Sequence, residues 1–396
     1  MRGSPPPPDR LVTLANWLEP PFNRWSFQRV RELVPSAAIS RGDGPVWELP
    51  DDPVALDRVP VRAGDRRRSF GGLLEDTFTD GVIVLHRGRA LFEGYWNGMT
   101  RRTPHLVMSV TKSITATAVG VLVARGSLSP EQLVTDVLPE LAETSFEGCT
   151  IRHLLDMRAG TAEDPLGANG ARAYLQVCLW QPRTDAGLPA GMRDFYRCLS
   201  NDGPHGGDFR YRSILTNVLA WAAERASGVR FPELLSRELW ARLGAEQDAE
   251  ITVDGHGSAL ADIGLSCTLR DLARFGELMR LEGRRDGVEV VPQAWIDDTL
   301  TPEADSEAAF RTTGLEYLPL PGSYYRNQWW VARARDRGPV YLALGIHGQM
   351  VLIHGPAEVV VAKVSTWPES WSSTYAGPSI EGCIDLAERI AEERAR

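Results

Sequence analysis

Lysine and arginine together number 43 in this 396-residue chain, yet only two of them are lysines, Lys112 and Lys363. An arginine keeps its proton in any protein environment, whereas a buried lysine can give its proton up. A lysine retained in such a background is therefore a candidate for proton transfer. Lys112 closes the tetrad Ser109-Val110-Thr111-Lys112. Three residues are nearly one helical turn, so a helix starting here places the hydroxyl and the amine on one face. The helix N-terminus adds unpaired N–H groups and the positive end of the dipole. Together these groups suit acyl transfer. Ser109 attacks a carbonyl, a desolvated and uncharged Lys112 takes the serine proton, and the Ser109 N–H stabilises the oxyanion. On pattern alone, the tetrad also fits a surface helix with an N-capping serine and a solvated lysine. The alternative is that the two lysines merely escaped a compositional drift towards arginine, and that reading is accepted for Lys363.

The segments around the tetrad favour a buried setting. Val110–Ala124 is an apolar run ending at Gly126, which predicts a buried helix with a glycine stop. Before it, residues 81–85 and 90–95 flank His86-Arg87-Gly88-Arg89 and read as a hairpin. Residues 1–70, rich in Pro, Arg and Asp with Trp17, Trp25 and Trp47, read as an irregular wrapping segment. Residues 151–157, 217–226 and 232–243 carry apolar side chains at helical spacing. The Gly-, Pro- and Asp-rich stretch 159–210 suits a substrate pocket. Leu269–Arg280 predicts another amphipathic helix. Strands are expected at 328–332, 340–344, 349–353 and Val359–Ser365, and a closing helix at 380–390. Strands from both ends of the chain then share one sheet. The fold class is α/β, an antiparallel sheet flanked by helices and interrupted by an all-helical insertion domain. The expected boundaries are 1–105 with 265–396 for the discontinuous α/β domain and 106–264 for the helical one, with the active site in the cleft between them.

Composition narrows the partners. Hydrophobic residues make up 43% and charged residues 24%, as in an ordinary globular protein. A net charge of -9 with no basic block argues against nucleic acid and against anionic membrane. No stretch approaches the length of a membrane helix. Met1 to Asp9, with its Pro5 to Pro8 run, lacks the apolar core of a secretory signal, so a cytoplasmic location is expected. Five irregularly spaced cysteines suggest free thiols. Seven scattered histidines give no metal site. Neither metal nor cofactor is required by the chemistry; the expected partner is a small-molecule amide or ester, and homodimerisation is left open.

The segment Leu106-Val107-Met108-Ser109-Val110-Thr111-Lys112-Ser113, with Leu154-Leu155-Asp156-Met157 after it, resembles the 6-aminohexanoate-dimer hydrolases. These are nylon-oligomer hydrolases related to class C β-lactamases and family VIII carboxylesterases. S-x-x-K is a motif of β-lactamases and penicillin-binding proteins. The likeness continues through Phe209-Arg210-Tyr211-Arg212-Ser213, Val218-Leu219-Ala220-Trp221, Ile251-Thr252-Val253-Asp254, Ser266-Cys267-Thr268 and Asp271-Leu272-Ala273-Arg274. It ends with Gln328-Trp329-Trp330 and Gly345-Ile346-His347-Gly348-Gln349. The resemblance implies a β-lactamase-like fold of the class C and DD-peptidase kind, and a serine hydrolase working through an acyl-enzyme.

By that resemblance the proton-relaying tyrosine is Tyr211. Tyr95-Trp96-Asn97 and Tyr325-Arg326-Asn327 match the superfamily's Y-x-N pattern better, since the Tyr211 triplet ends in Ser213. The backbone N–H of Ile346 is implied as the second oxyanion donor. Trp330 and Asp262 are implied as substrate-pocket residues, and His347 and Gly348 beside Ile346 as binding positions, although a histidine before a glycine in an apolar strand also fits a structural role. The linear-dimer hydrolases hold their substrate with a tyrosine and an acid. Those positions fall near Leu166 and Gly167 and near Val177 and Cys178, where neither residue type stands. Tyr174, Asp164 and Asp185 are the neighbours that a shifted loop would use. Overall likeness favours amides of the 6-aminohexanoate type, and the missing loop residues favour short esters. A β-lactamase proper is disfavoured because the strand lacks the lysine of K-T-G. A non-catalytic ligand sensor on the same fold remains the alternative of another class.

Overall fold

The computed structural model describes residues 3–162, 170–333 and 338–395. Seven antiparallel strands form the main sheet: β1 (Thr79–His86), β2 (Arg89–Tyr95), β3 (Tyr324–Arg326), β4 (Trp329–Arg333), β5 (Pro339–Gly345), β6 (Gln349–His354) and β7 (Val359–Ser365). Their order is β3-β4-β5-β6-β7-β1-β2. Strands from the two ends of the chain meet where Val361 of β7 lies opposite Val84 of β1. The β1–β2 turn uses Arg87 at φ 53° and Gly88 at φ 75°, the double positive φ that suits a two-residue hairpin.

Both faces of the sheet are covered, so β7 reads Val-Val-Val-Ala-Lys-Val-Ser with little alternation. The helix Leu269–Arg280 packs across β1, β6 and β7. Its Gly276 sits over Val360, where a Cβ would come within 2.6 Å of that side chain. Lys363 projects from the opposite face of β7 and is coupled electrostatically to Cys383 of the closing helix. That helix spans Ser373–Arg394 and begins ahead of the expected 380.

We label the two helices that carry the site α1 (Val110–Ala124) and α2 (Ser213–Ser227). Every residue of α1 from Val110 to Leu122 is buried. That explains its small and apolar composition: α1 lies between the sheet and α2, and Gly120 leaves room for the Trp295 indole. Gly126, at φ 72°, follows its end.

A second sheet, absent from the sequence-based expectation, accompanies the main one in the chain's architecture. Its four antiparallel strands are Ser36–Ile39, Ala249–Thr252, Leu265–Cys267 and His105–Leu106. The stretch 106–264 therefore contributes one strand besides its helices, and the wrapping N-terminal segment contributes an edge strand. Strands of two to four residues are too short to show a period. All five cysteines are free thiols. Among the described residues no helix is long and apolar enough to cross a membrane, and no cluster of His, Cys, Asp and Glu could hold a metal.

Candidate active site

The second sheet aims the tetrad. The strand His105–Leu106 runs into Val107, whose N–H donates to Leu265 O at 2.9 Å. Met108 then adopts φ 47°, an uncommon backbone for a side chain of its size, and α1 begins directly after Ser109. The turn closes with the Thr111 hydroxyl donating to Met108 O at 2.6 Å. Ser109 thus stands at the N-terminus of a buried helix, 6% exposed.

Lys112 is fully buried, and its Nζ lies 2.9 Å from Ser109 Oγ. The amine also donates to Ser213 Oγ at 3.1 Å and to the Asp262 carbonyl at 3.1 Å. Ser213, the first residue of α2, is the position at which the tyrosine triplet departs from Y-x-N. That departure from Y-x-N supplies a short hydroxyl to the lysine, a role with no sequence pattern of its own.

Tyr211 is the tyrosine brought to Lys112. The amine lies 5.1 Å from its ring centroid. Arg210 N donates to Met157 O at 2.9 Å, and the Arg212 guanidinium holds Asp202 at 2.7 Å and Ala159 O at 3.4 Å. The end of the Leu154-Leu155-Asp156-Met157 motif is therefore the ledge on which the Tyr211 segment lies. Of the two rivals, Tyr95 donates to Glu93 on β2, and Tyr325 is buried within an aromatic cluster, its ring centroid 4.9 Å from Trp330 and 5.9 Å from Tyr211.

Trp330 packs against Tyr211, centroids 5.0 Å apart, and against Tyr317 at 5.4 Å. Tyr317 in turn meets Trp371 at 5.4 Å. Aromatic rings thus run from the lysine outwards, with Tyr317 and Trp371 half-buried. The strand expected to complete the site is β5. At its end Gly345 abuts the nucleophile turn so closely that a Cβ there would stand 3.0 Å from Ser109 N. Ile346, half-buried, follows it.

His347 and Gly348 are differently engaged. His347 takes φ 59°, its Nδ1 contacts Trp367 O at 2.9 Å, its ring meets Phe27 edge-on at 5.1 Å, and burial lowers its pKa. Gly348 lies under the Trp367 indole, where a Cβ would be 2.3 Å from Nε1. These contacts fasten the end of β5 to Trp367, which is the structural alternative foreseen for the histidine, and none of them is directed at Ser109.

Asp262 is fully buried, so it meets Lys112 from within the protein rather than from an open pocket wall. Burial raises its carboxyl pKa, while the charge of Lys112 acts the other way. Tyr174 is buried on Gly170–Val177 and donates to Asp262 Oδ1 at 3.4 Å. Asp185 is exposed and caps Gly187 N at 2.8 Å. Val177 and Cys178 are buried. Asp164, Leu166 and Gly167 lie outside the described residues.

Comparison with known proteins gives a consistent picture. A family model described as beta-lactamase matches residues 67–380. The 6-aminohexanoate-dimer hydrolase of Paenarthrobacter ureafaciens is 40% identical over 382 residues, which is 96% of this chain and 94% of that protein. A solved structure from Bacillus anthracis with a provisional 6-aminohexanoate-dimer hydrolase name superposes with a TM-score of 0.86 at 26% identity, covering 98% of this chain and 99% of its own. EstCE1, a hydrolase with promiscuous acyltransferase activity, shares the fold at a TM-score of 0.61 and 16% identity, covering 81% of this chain and 97% of its own.

Proposed function

From the premise that this chain belongs to the beta-lactamase family and is a hydrolase of that serine-dependent kind, we propose that it cleaves short linear amides of the 6-aminohexanoate-oligomer type, and short carboxylic esters, through an acyl-enzyme on Ser109. The carrying observation is the 2.9 Å contact between Lys112 Nζ and Ser109 Oγ, with Lys112 fully buried. Burial penalises the charged form of an amine, and only the uncharged amine can take the serine proton.

In this reading Ser109 Oγ attacks the substrate carbonyl carbon as its proton passes to Lys112. The negative charge on the former carbonyl oxygen is met by the backbone N–H groups of Ser109 and Ile346. Tyr211, over Lys112, relays that proton to the leaving amine or alcohol. Collapse expels the leaving group and leaves an ester on Ser109. Water then adds to this ester as its proton passes to Lys112, the bond between the acyl carbon and Ser109 Oγ breaks, Lys112 returns the proton to Oγ, and the acid departs. No step needs a metal or cofactor. Tyr317 and Trp371, half-buried and backed by the buried Trp330, form an apolar wall for the methylene chain of the substrate.

The 40% identity to a 6-aminohexanoate-dimer hydrolase supports amides. A second reading, an esterase with little amidase activity, is favoured by one observation: Val177 and Cys178 are buried where the dimer hydrolases are expected to have a polar substrate-holding residue. Ser109→Ala, with its circular dichroism unchanged, is expected to lose turnover of p-nitrophenyl butyrate and of the 6-aminohexanoate dimer together. Retained ester turnover in that variant would remove Ser109 as nucleophile. Wild-type turnover of the ester alone would select the esterase reading. Labelling of Ser109 by a phosphonate without turnover of any ester would point to a ligand sensor.

A further inference from the structure

Lys112 is held from a third side by Asp262, whose backbone carbonyl accepts from its amine at 3.1 Å. The Asp262 carboxyl is fully buried. One of its oxygens accepts from the Tyr174 hydroxyl at 3.4 Å, and that hydroxyl accepts from Asn217 Nδ2 at 2.7 Å. The other carboxyl oxygen and the Asn217 amide oxygen have no hydrogen-bond partner. Asn217 and Ser213 lie close enough to favour its ionised form, but a buried carboxyl remains costly unless a cation compensates it or it takes up a proton.

The neighbours identify that cation. Facing Asp262 are Tyr174 and Cys178 from the helix Gly170–Val177 and the residue after it, Tyr196 from Met192–Arg197, and Ser213 and Asn217 from α2. Tyr174, Cys178 and Tyr196 are each pushed above their ordinary pKa, first by burial and then by the negative charge of Asp262, with Asp254 adding to the effect on Cys178 and Tyr196. Groups held in their neutral forms cannot balance a carboxylate. Lys112 is the charged partner whose field opposes the effect of burial on Asp262.

We infer that Asp262 is a positioning residue for the general base, fixing the Lys112 amine with its carbonyl and setting that amine's charge with its carboxyl. The inference rests on the role of Lys112 proposed above. An ionised Asp262 favours the ammonium, and a protonated Asp262 releases the neutral amine. The two groups therefore titrate as a pair, and the pH at which Lys112 becomes a base belongs to both. Tyr174 and Asn217 tune the pair by stabilising the ionised acid.

The scarcity of lysine makes this measurable without substrate. Full-length protein labelled with 13Cε-lysine carries two lysine resonances, and the one lost in Lys112→Met belongs to Lys112. Asp262→Asn removes the charge and keeps the shape. The Lys112 midpoint is expected to fall by about one pH unit or more, and the acid limb of kcat/KM for p-nitrophenyl butyrate to move down with it. An unmoved midpoint in folded Asp262→Asn protein overturns the inference. Should that variant fail to fold, Tyr174→Phe decides. Loss of the hydroxyl destabilises the ionised acid, so the midpoint falls by about half a unit, and no movement overturns the inference. A moved midpoint in a protein whose Ser109→Ala variant still cleaves esters would leave this coupling standing and remove the proposed function instead.

Discussion

A Cβ built on Gly345 would stand 3.0 Å from the backbone nitrogen of Ser109 and 2.8 Å from the carbonyl of Val107. The backbone of Gly345 is extended, φ -131°, which any residue adopts, so the constraint here is space alone. The end of β5 reaches the nucleophile turn only because this position has no side chain. Gly345→Ala must push the strand away from Ser109 and spread the Ser109 and Ile346 N–H groups. The expected result is a fall in kcat of about 10² to 10³ with KM changing much less, in a protein whose circular dichroism is unaltered. Activity within threefold of wild type would show that Ile346 has no part in the oxyanion site.

Lys112→Arg separates charge from basicity. Arginine can reach Ser109 and Ser213 with a positive charge, but it cannot accept a proton. If the lysine acts only as a fixed cation, Arg preserves much of the rate. If it is the base, kcat/KM for p-nitrophenyl butyrate falls by about 10³ or more. The assay is run beside Lys112→Met, which removes the charge as well, and matching losses in the two variants support the base.

Much of this site could be read before the fold was seen, and the reason is local. The start of α1 at Ser109-Val110, its Gly126 stop and the Arg87-Gly88 hairpin depend on neighbouring residues, and the structure places them as expected. The position of Tyr211 beside Lys112 was not legible locally, because its segment is seated on the Met157 carbonyl through Arg210 N, a contact between residues more than fifty positions apart. Ser213 and the buried side of Asp262 carry no pattern of their own; they matter only once α2 and the 262 turn converge on Lys112. The early start of the closing helix was hidden by Gly377-Pro378, which reads as a breaker yet lies in its second turn.

The loop ledge under Tyr211 should be acid-labile. His153 and His205 stack with centroids 5.9 Å apart, and each uses Nδ1 to accept a backbone N–H, from Thr150 at 3.1 Å and from Gly160 at 2.9 Å. Protonation destroys both acceptors. Burial, then the charges of His205 and Arg158, push His153 down to about 4, and burial also lowers His205. A folded pKa below that of the free group means that the unfolded chain binds more protons between about pH 4 and 6.5. Stability therefore rises with pH across that window and is lost as pH falls through it. Thermal melts at pH 7, 5.5 and 4.5 are expected to show this loss. His153→Gln keeps an acceptor for Thr150 N and should flatten the slope. An identical slope in the variant would clear His153 of the effect.

The other lysine gives the opposite end of the pH profile. Lys363 is fully buried beneath the sheet, donating to Ser365 Oγ and lying 5.9 Å from the Trp367 ring centroid. Burial lowers its pKa to about 8, against weaker upward pulls from Cys383 and Asp80. Between that value and the ordinary lysine range the unfolded chain binds the extra proton, so this residue makes stability rise with pH from about 8 to 10.5. Below pH 8 its full penalty applies, at most about 3 kcal/mol. Lys363→Met has no such proton. Relative to wild type, the variant is expected to gain stability in urea unfolding at pH 7 and to lose that advantage towards pH 10. Other groups that ionise at high pH are common to both proteins and cancel in the comparison, apart from Cys383, which burial pushes up to about 12 and the Lys363 charge pulls down, so both proteins are compared in a Cys383→Ala background. A stability gap that stays constant from pH 7 to 10 would mean that the Lys363 amine reaches solvent and titrates as a free lysine does.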